Sequence, residues 1–130
     1  MNQFIHIFAE AEGPGFEFIL NTNSITRICL NEQGFCDVYI DKGGSSFSKI
    51  RTLLSLEEVL AKLQCAGAKF IRMSGPDFRD HLSVFLNTMY IKGIYTDPEY
   101  DHCTFVCDPE TGLSPRYETF YKMSELIELL

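Results

Sequence analysis

The groups best suited to nucleophilic or metal chemistry are Cys29, Cys36, Cys103 and Cys107, with His6, His81 and His102. Cys103 and Cys107 lie four apart, beside His102. Residues at that spacing on a strand share a face, so both sulfurs could reach one ion. A thiol there could also use His81 or His102 as its base. Structural zinc needs a second close pair of ligands, and no such pair completes the set. No glycine-flanked serine or cysteine elbow is present either. Cys36 and Cys103 hold matching places in the internal repeat described below, which favours thiols acting as small buried hydrophobes. The expectation is no catalytic residue, no metal ligand and no cofactor.

Two further patterns could carry chemistry. Lys42-Gly43-Gly44-Ser45-Ser46-Phe47-Ser48-Lys49 combines glycine, serine and lysine. It lacks the spacing of a phosphate-binding loop and is not followed directly by a periodic helix, so it reads as a hairpin loop. Asp97-Pro98-Glu99-Tyr100-Asp101 and Asp108-Pro109-Glu110 are the densest acidic stretches. Proline places them in exposed turns, where paired carboxylates lack the dry cleft that separates their pKa values. Calcium-loop spacing is also absent. Acid beside tyrosine suits protein recognition, because tyrosine offers a large contact area at low entropic cost. The candidate binding residues are therefore Tyr95, Asp97, Glu99, Tyr100 and Asp101.

The elements that must position these groups come in two sets. Leu20-Asn21-Thr22 recurs as Leu86-Asn87-Thr88, an offset of 66 (20 to 86). At that offset Phe4-Ile5 meets Phe70-Ile71, while Ile25 and Ile28 meet Ile91 and Ile94. Beyond residue 31 the offset becomes 67 (36 to 103). Cys36, Asp41, Thr52 and Glu58 then meet Cys103, Asp108, Thr119 and Glu125. The extra residue falls between residues 31–35 and 97–102, in polar turns that tolerate insertion.

Each half reads as five strands and a helix. In the first, strands are expected near 3–10, 16–20, 24–30, 36–41 and 47–53, from apolar runs bounded by turn residues. Asn21-Thr22-Asn23 breaks the chain between the second and third. Ser55 and Glu58 form a capping box. Leu56, Val59, Leu60 and Leu63 give the following helix one apolar stripe, and Gly67 suits its end. The second half repeats this with strands near 69–74, 82–86, 90–96, 102–107 and 115–121 and a helix from about 123. The fold class is α+β: a tandem duplication of a small antiparallel β-sheet unit, residues 1–66 and 67–130, each copy ending in a helix that covers one sheet face. A unit of that size is marginal alone, and Cys65-Ala66-Gly67-Ala68 is too short and apolar to be a free tether. One compact domain is expected over residues 1–130, joined as one continuous sheet or with pseudo-two-fold symmetry.

The unit pattern carried by Leu20, Asn21, Ile25, Ile28, Ser55 and Glu58 resembles two bacterial modules. These are the small flagellar and swarming-motility FlbD family and the DNA-binding domain of LytTR-type regulators. The similarity covers less than half of each copy. The basic run that a DNA groove would require of the second module is missing, and no functional residue is taken from either.

Composition limits the partners. The net charge of −7 opposes nucleic-acid binding, which needs clustered Lys and Arg. Apolar runs are far shorter than a membrane span. The first residues lack a secretory pattern, and an odd number of cysteines without framework spacing fits a reducing cytoplasm. The second half holds Tyr90, Tyr95, Tyr100, Tyr117 and Tyr121, against Tyr39 alone in the first. The expected function is a non-catalytic protein-binding module acting by contact on another protein. The alternatives are a self-associating structural subunit, such as a homodimer, and a small cysteine-dependent or metal-binding enzyme.

Overall fold

The computed structural model describes residues 3–9, 16–31, 33–41, 49–74, 83–96, 99, 102–111 and 113–130. Among them are ten strands in two antiparallel sheets and two α-helices. The first half contributes β1 (Phe4–Ala9), β2 (Phe16–Asn21), β3 (Ile25–Leu30), β4 (Cys36–Ile40), β5 (Lys49–Thr52) and α1 (Leu56–Cys65). The second contributes β6 (Phe70–Arg72), β7 (Ser83–Asn87), β8 (Ile91–Thr96), β9 (Cys103–Cys107), β10 (Arg116–Glu118) and α2 (Met123–Leu129).

Asparagine closes the second strand of each half. Asn21 Oδ1 accepts from Asn23 N at 2.9 Å, and Asn87 Oδ1 accepts from Met89 N at 3.2 Å. Each turns the chain through a single 3-10 turn, Thr22–Ser24 or Thr88–Tyr90. Short amides compete well for backbone donors, so the expected break becomes a defined corner.

That corner forces curvature. In the first half the strand order is β2-β1-β5-β4-β3, so β2 and β3 stand at opposite ends. A flat array would hold them about 19 Å apart, whereas the four steps from Asn21 to Ile25 reach at most about 14 Å. The sheet must curl around its core. That core is Ile5, Ile7, Ala9, Ile25, Ile28, Cys36, Val38 and Ile50, closed by Val59 and Leu63 of α1. Ser55 Oγ accepts from Glu58 N at 3.2 Å and Glu58 Oε1 from Ser55 N at 3.4 Å, completing the capping box. The helix ends on Gly67 at φ +80°, in the left-handed region, with Ala68 N donating to Leu63 O. Glycine adopts that conformation without a Cβ penalty.

The second half uses the same pairing. β3 and β4 pair from Ile25↔Ile40 to Leu30↔Cys36 with a bulge between Ile25 and Arg27. β8 and β9 pair from Ile91↔Cys107 to Thr96↔Cys103 with the bulge between Ile91 and Gly93. Leu53 N donates to Phe8 O at 2.8 Å, and Phe120 N to Ser74 O at 2.9 Å. Some elements are shorter than expected: β6 covers 70–72 rather than 69–74, and β10 covers 116–118 rather than 115–121. Lys122 replaces Ser55 before α2, so only the Glu125 half of the capping box remains, with Lys122 N donating to Glu125 Oε1 at 2.9 Å. The second core gathers Ile71, Met73, Val84, Leu86, Cys103, Phe105, Cys107, Leu113, Tyr117 and Leu126.

The halves join by one strand ladder across their boundary. β7 pairs with β3, from Arg27↔Leu86 to Leu30↔Ser83. The result is one seven-stranded sheet, β2-β1-β5-β4-β3-β7-β6, beside a three-stranded sheet, β10-β9-β8. The β6–β7 hairpin is thereby shared. Ile71, Met73, Val84 and Leu86 face the second core, while Phe70 and Phe85 pack against the first. Asn87 pins the junction: its buried Nδ2 donates to Ile25 O at 2.9 Å and Thr22 O at 3.3 Å. Tyr90 reinforces it, its hydroxyl donating to Asn23 O.

Replacing Asn87 with Ala removes two donors to the other half together with the corner bond. It should destabilise the fold by about 2–4 kcal/mol. Asn21→Ala, which removes the corner bond alone, should cost about 1 kcal/mol. Urea unfolding of the two variants measures the gap, and equal losses would mean that the junction contributes no stability.

Candidate protein-contact surface

Cys36, Cys103 and Cys107 are buried in the cores and Cys29 packs against the second, while Cys65 is exposed at the end of α1. Cys103 and Cys107 point to one side of β9, both buried around Phe105. Burial raises the Cys107 thiol to about 11. It also raises Cys103, with nearby Glu125 adding to the effect. Cys36 is pushed up to about 12 by burial and then by the Asp37 charge. Burial raises Cys29 as well. A thiol kept protonated at neutral pH is a poor nucleophile and a poor metal ligand. His102 is exposed and sets its ring edge against Phe120, centroids 5.6 Å apart. His81 lies outside the described residues, as does all of the 42–49 loop except Lys49. Among the described residues no three His, Cys, Asp or Glu side chains are arranged to hold a metal ion.

The five candidate binding residues are only partly described. Tyr95 is 40% exposed on β8, and Glu99 is exposed in the turn beyond it. Asp97, Tyr100 and Asp101 lie outside the described residues. Of the other described tyrosines of the second half, Tyr117 is buried and Tyr90 and Tyr121 are half-buried. The Tyr117 hydroxyl accepts from Ser114 N at 3.1 Å, the Tyr121 hydroxyl donates to Arg72 O, and Tyr90 serves the junction. Asp108 belongs to a folded corner: its Oδ1 accepts from Glu110 N at 3.0 Å, and Lys92 Nζ lies 3.6 Å from its Oδ2.

Two surfaces stand out that residue spacing alone did not reveal. The first is the outer face of the β1–β2 hairpin. β1 alternates between inward Ile5, Ile7 and Ala9 and outward Phe4, His6 and Phe8. Phe4 is 50%, Phe8 39% and Ile19 72% exposed. His6 sits between them, 3.3 Å from Glu17 and 4.8 Å ring to ring from Phe8. Beside this face runs an open groove of about 530 Å³, bounded by Phe4, His6 and Ile19 on the hairpin and by Ala61, Lys62 and Cys65 on α1. The second surface is the β8 edge, which among the described residues pairs with β9 alone. Its Ile91 and Ile94 are only half-buried. The signal for the hairpin face was present as apolar residues at outward positions of an alternating strand.

A second buried constellation also escaped the spacing. Asp37 is buried on β4 and accepts from Arg51 Nε at 3.2 Å and Asn31 Nδ2 at 3.4 Å. Arg51 lies over the Phe35 ring, and Arg27 over Tyr39. Among the described residues the matching positions, Thr104 and Glu118, carry no such pair.

The raised thiols set an alkaline limit. Unfolded cysteines ionise near 9.0, whereas folded Cys36 and Cys107 hold their protons to about 12 and about 11. Their contribution is complete below pH 9 and is lost as pH rises through the folded values. Stability should therefore fall between pH 9 and 12, and Cys36→Ala with Cys107→Ala should flatten that fall. Urea unfolding across the range measures it. An unchanged slope would assign the alkaline loss to other groups.

Comparison with protein-family models, with curated proteins and with solved structures finds no match to this chain.

Proposed function

We propose that the chain is a tandem duplication folded as one domain, and that it is a non-catalytic protein-binding module: a cytoplasmic adaptor, regulator or inhibitor that works by contact. The observation that carries this reading is the outer face of the β1–β2 hairpin. Phe4, Phe8 and Ile19 stand in water on a hairpin whose other face is fully committed to a core. Phe70 and Phe85, the counterparts of Phe4 and Ile19, are apolar too, and they are packed against the other half; Phe8 is matched by Ser74. Clustered exposed apolar side chains rimmed by polar ones mark interaction surfaces. Tyr95 and Glu99 extend a second contact region from the β8 edge, which Asp97, Tyr100 and Asp101 join by sequence. The matching registers of the two halves, bulges included, support the duplication. The protonated core thiols support a role without nucleophilic chemistry, and the net charge of −7 supports a partner other than nucleic acid.

Photo-crosslinking in cells tests this directly. With benzoylphenylalanine in place of Ile19 or Tyr95, light-dependent adducts to polypeptide should form, while the same residue in place of buried Val38 should give none. Reversing Asp97, Glu99 and Asp101 to lysine should reduce the Tyr95 adduct. Unchanged yield would remove the acidic residues from the contact, and no adduct at either site would sink the module reading.

A further inference from the structure

The junction between the halves has an occupied form and an unoccupied one within the same molecule. In the occupied form, β3 of the first half pairs with β7 of the second. The counterpart of β3 is β8 and that of β7 is β2. Both stand at sheet edges, each paired on one side only among the described residues. Each chain thus carries both parts of the junction, unjoined to one another.

Burial differs between counterparts as an unfilled junction requires. Ile25 and Ile28 on β3 are fully buried in the first core, against which Phe70 and Phe85 of the β6–β7 hairpin pack, whereas Ile91 and Ile94 on β8 are half-buried. Phe70 and Phe85 pack on the first core, whereas Phe4 and Ile19 are 50% and 72% exposed. At these four pairs the side-chain chemistry is preserved: aliphatic on the β3 and β8 side, aromatic or aliphatic on the hairpin side. Elsewhere along the strands it changes, with Gly93, Tyr95 and Thr96 matching Arg27, Cys29 and Leu30, and Glu17 matching Ser83.

The geometry points to a second copy of this chain as the occupant, β8 of one copy adding to β2 of the next. This rests on the contact-module reading and names its partner. The register follows from the occupied junction. Arg27↔Leu86, Ile28↔Phe85, Cys29↔Val84 and Leu30↔Ser83 become Gly93↔Leu20, Ile94↔Ile19, Tyr95↔Phe18 and Thr96↔Glu17 between copies. Tyr95 takes the place of Cys29, which reaches across its junction to the second core. Phe4 and Ile19 come to lie over the neighbour's second core, beside its Ile94. The contact is head-to-tail, so it closes into a ring when the rotation between copies permits, the smallest ring being two chains and four halves.

Register-specific disulfide capture tests this on the intact chain in a Cys65→Ser background. Ile19→Cys on one chain mixed with Ile94→Cys on another should give a cross-linked dimer under mild oxidation, because directly opposed strand residues sit within disulfide reach. Glu17→Cys with Thr96→Cys should do the same. Ile19→Cys with Thr96→Cys, two residues out of register, should not. Native mass measurement of the unmodified protein should give multiples of 14.9 kDa. Ile19→Asp, an exposed change that the single chain tolerates, should weaken assembly at least about tenfold. A single-chain mass at high concentration overturns the inference, as does assembly without the in-register cross-links. If the chain is single yet position 19 crosslinks to a different protein in cells, the contact-module reading stands and only the second copy falls.

Discussion

The fold depends on the ladder between β3 and β7, and on the amide of Asn87 that locks it. Each half has about the size at which a single core is marginal. The first curls around its own core, and Phe70 and Phe85 of the β6–β7 hairpin pack against that core from the other half. That hairpin has two apolar faces, one for each core, so neither core is complete without it. Asn87 then satisfies two carbonyls at the first half's corner from a buried position. A buried amide with partners on both sides of a junction enforces one alignment more strictly than apolar contact can, because sliding would leave its donors and those carbonyls unmatched.

Much of this architecture was legible in the residues. The alternation of Ile5, Ile7 and Ala9 with Phe4, His6 and Phe8 marks β1. Ser55 and Glu58 mark the start of α1, and Gly67 its end. The change of offset from 66 to 67 falls in the turns between β3 and β4 and between β8 and β9, where the loops differ by one residue while the flanking registers coincide. Strand pairing across the boundary was not legible. Asn21 and Asn87 are the same residue in the same local motif, and both make the same corner. Only Asn87 is buried, because the other half stands over it. Periodicity reports which face of a strand is apolar; it does not report which edge finds a neighbour.

The candidate contact residues show the same limit. Tyrosine enrichment in the second half suggested a recognition surface, yet Tyr90, Tyr117 and Tyr121 direct their hydroxyls to backbone groups within the fold. A buried or half-buried tyrosine serves as a hydrophobe with one polar handle to be satisfied, and sequence cannot separate that use from an exposed one. Tyr95 is exposed because it sits at the β8 edge. The hairpin face was missed for the opposite reason. Phe4, Phe8 and Ile19 look like core residues, and their outward orientation follows from the register that sends Ile5, Ile7 and Ala9 inward.

The apolar character of that outward face then needs a cause. Ile19 contributes almost nothing to the core of its own half, and a polar residue at a site 72% exposed would leave the fold unharmed. Such a residue would also protect the β2 edge, since charge on an edge strand is the usual guard against unwanted pairing. The chain instead keeps isoleucine there and phenylalanine at 4 and 8. The proposed duplication accounts for matching apolar positions, because Phe70 and Phe85 pack at the junction. It does not account for a water-exposed apolar cluster beside a β2 edge that, among the described residues, carries Glu17 as its one charge and pairs with β1 alone. A surface that is covered while the protein works removes the difficulty: there the same side chains meet the same kind of neighbour as their buried counterparts, and the edge is protected by being paired.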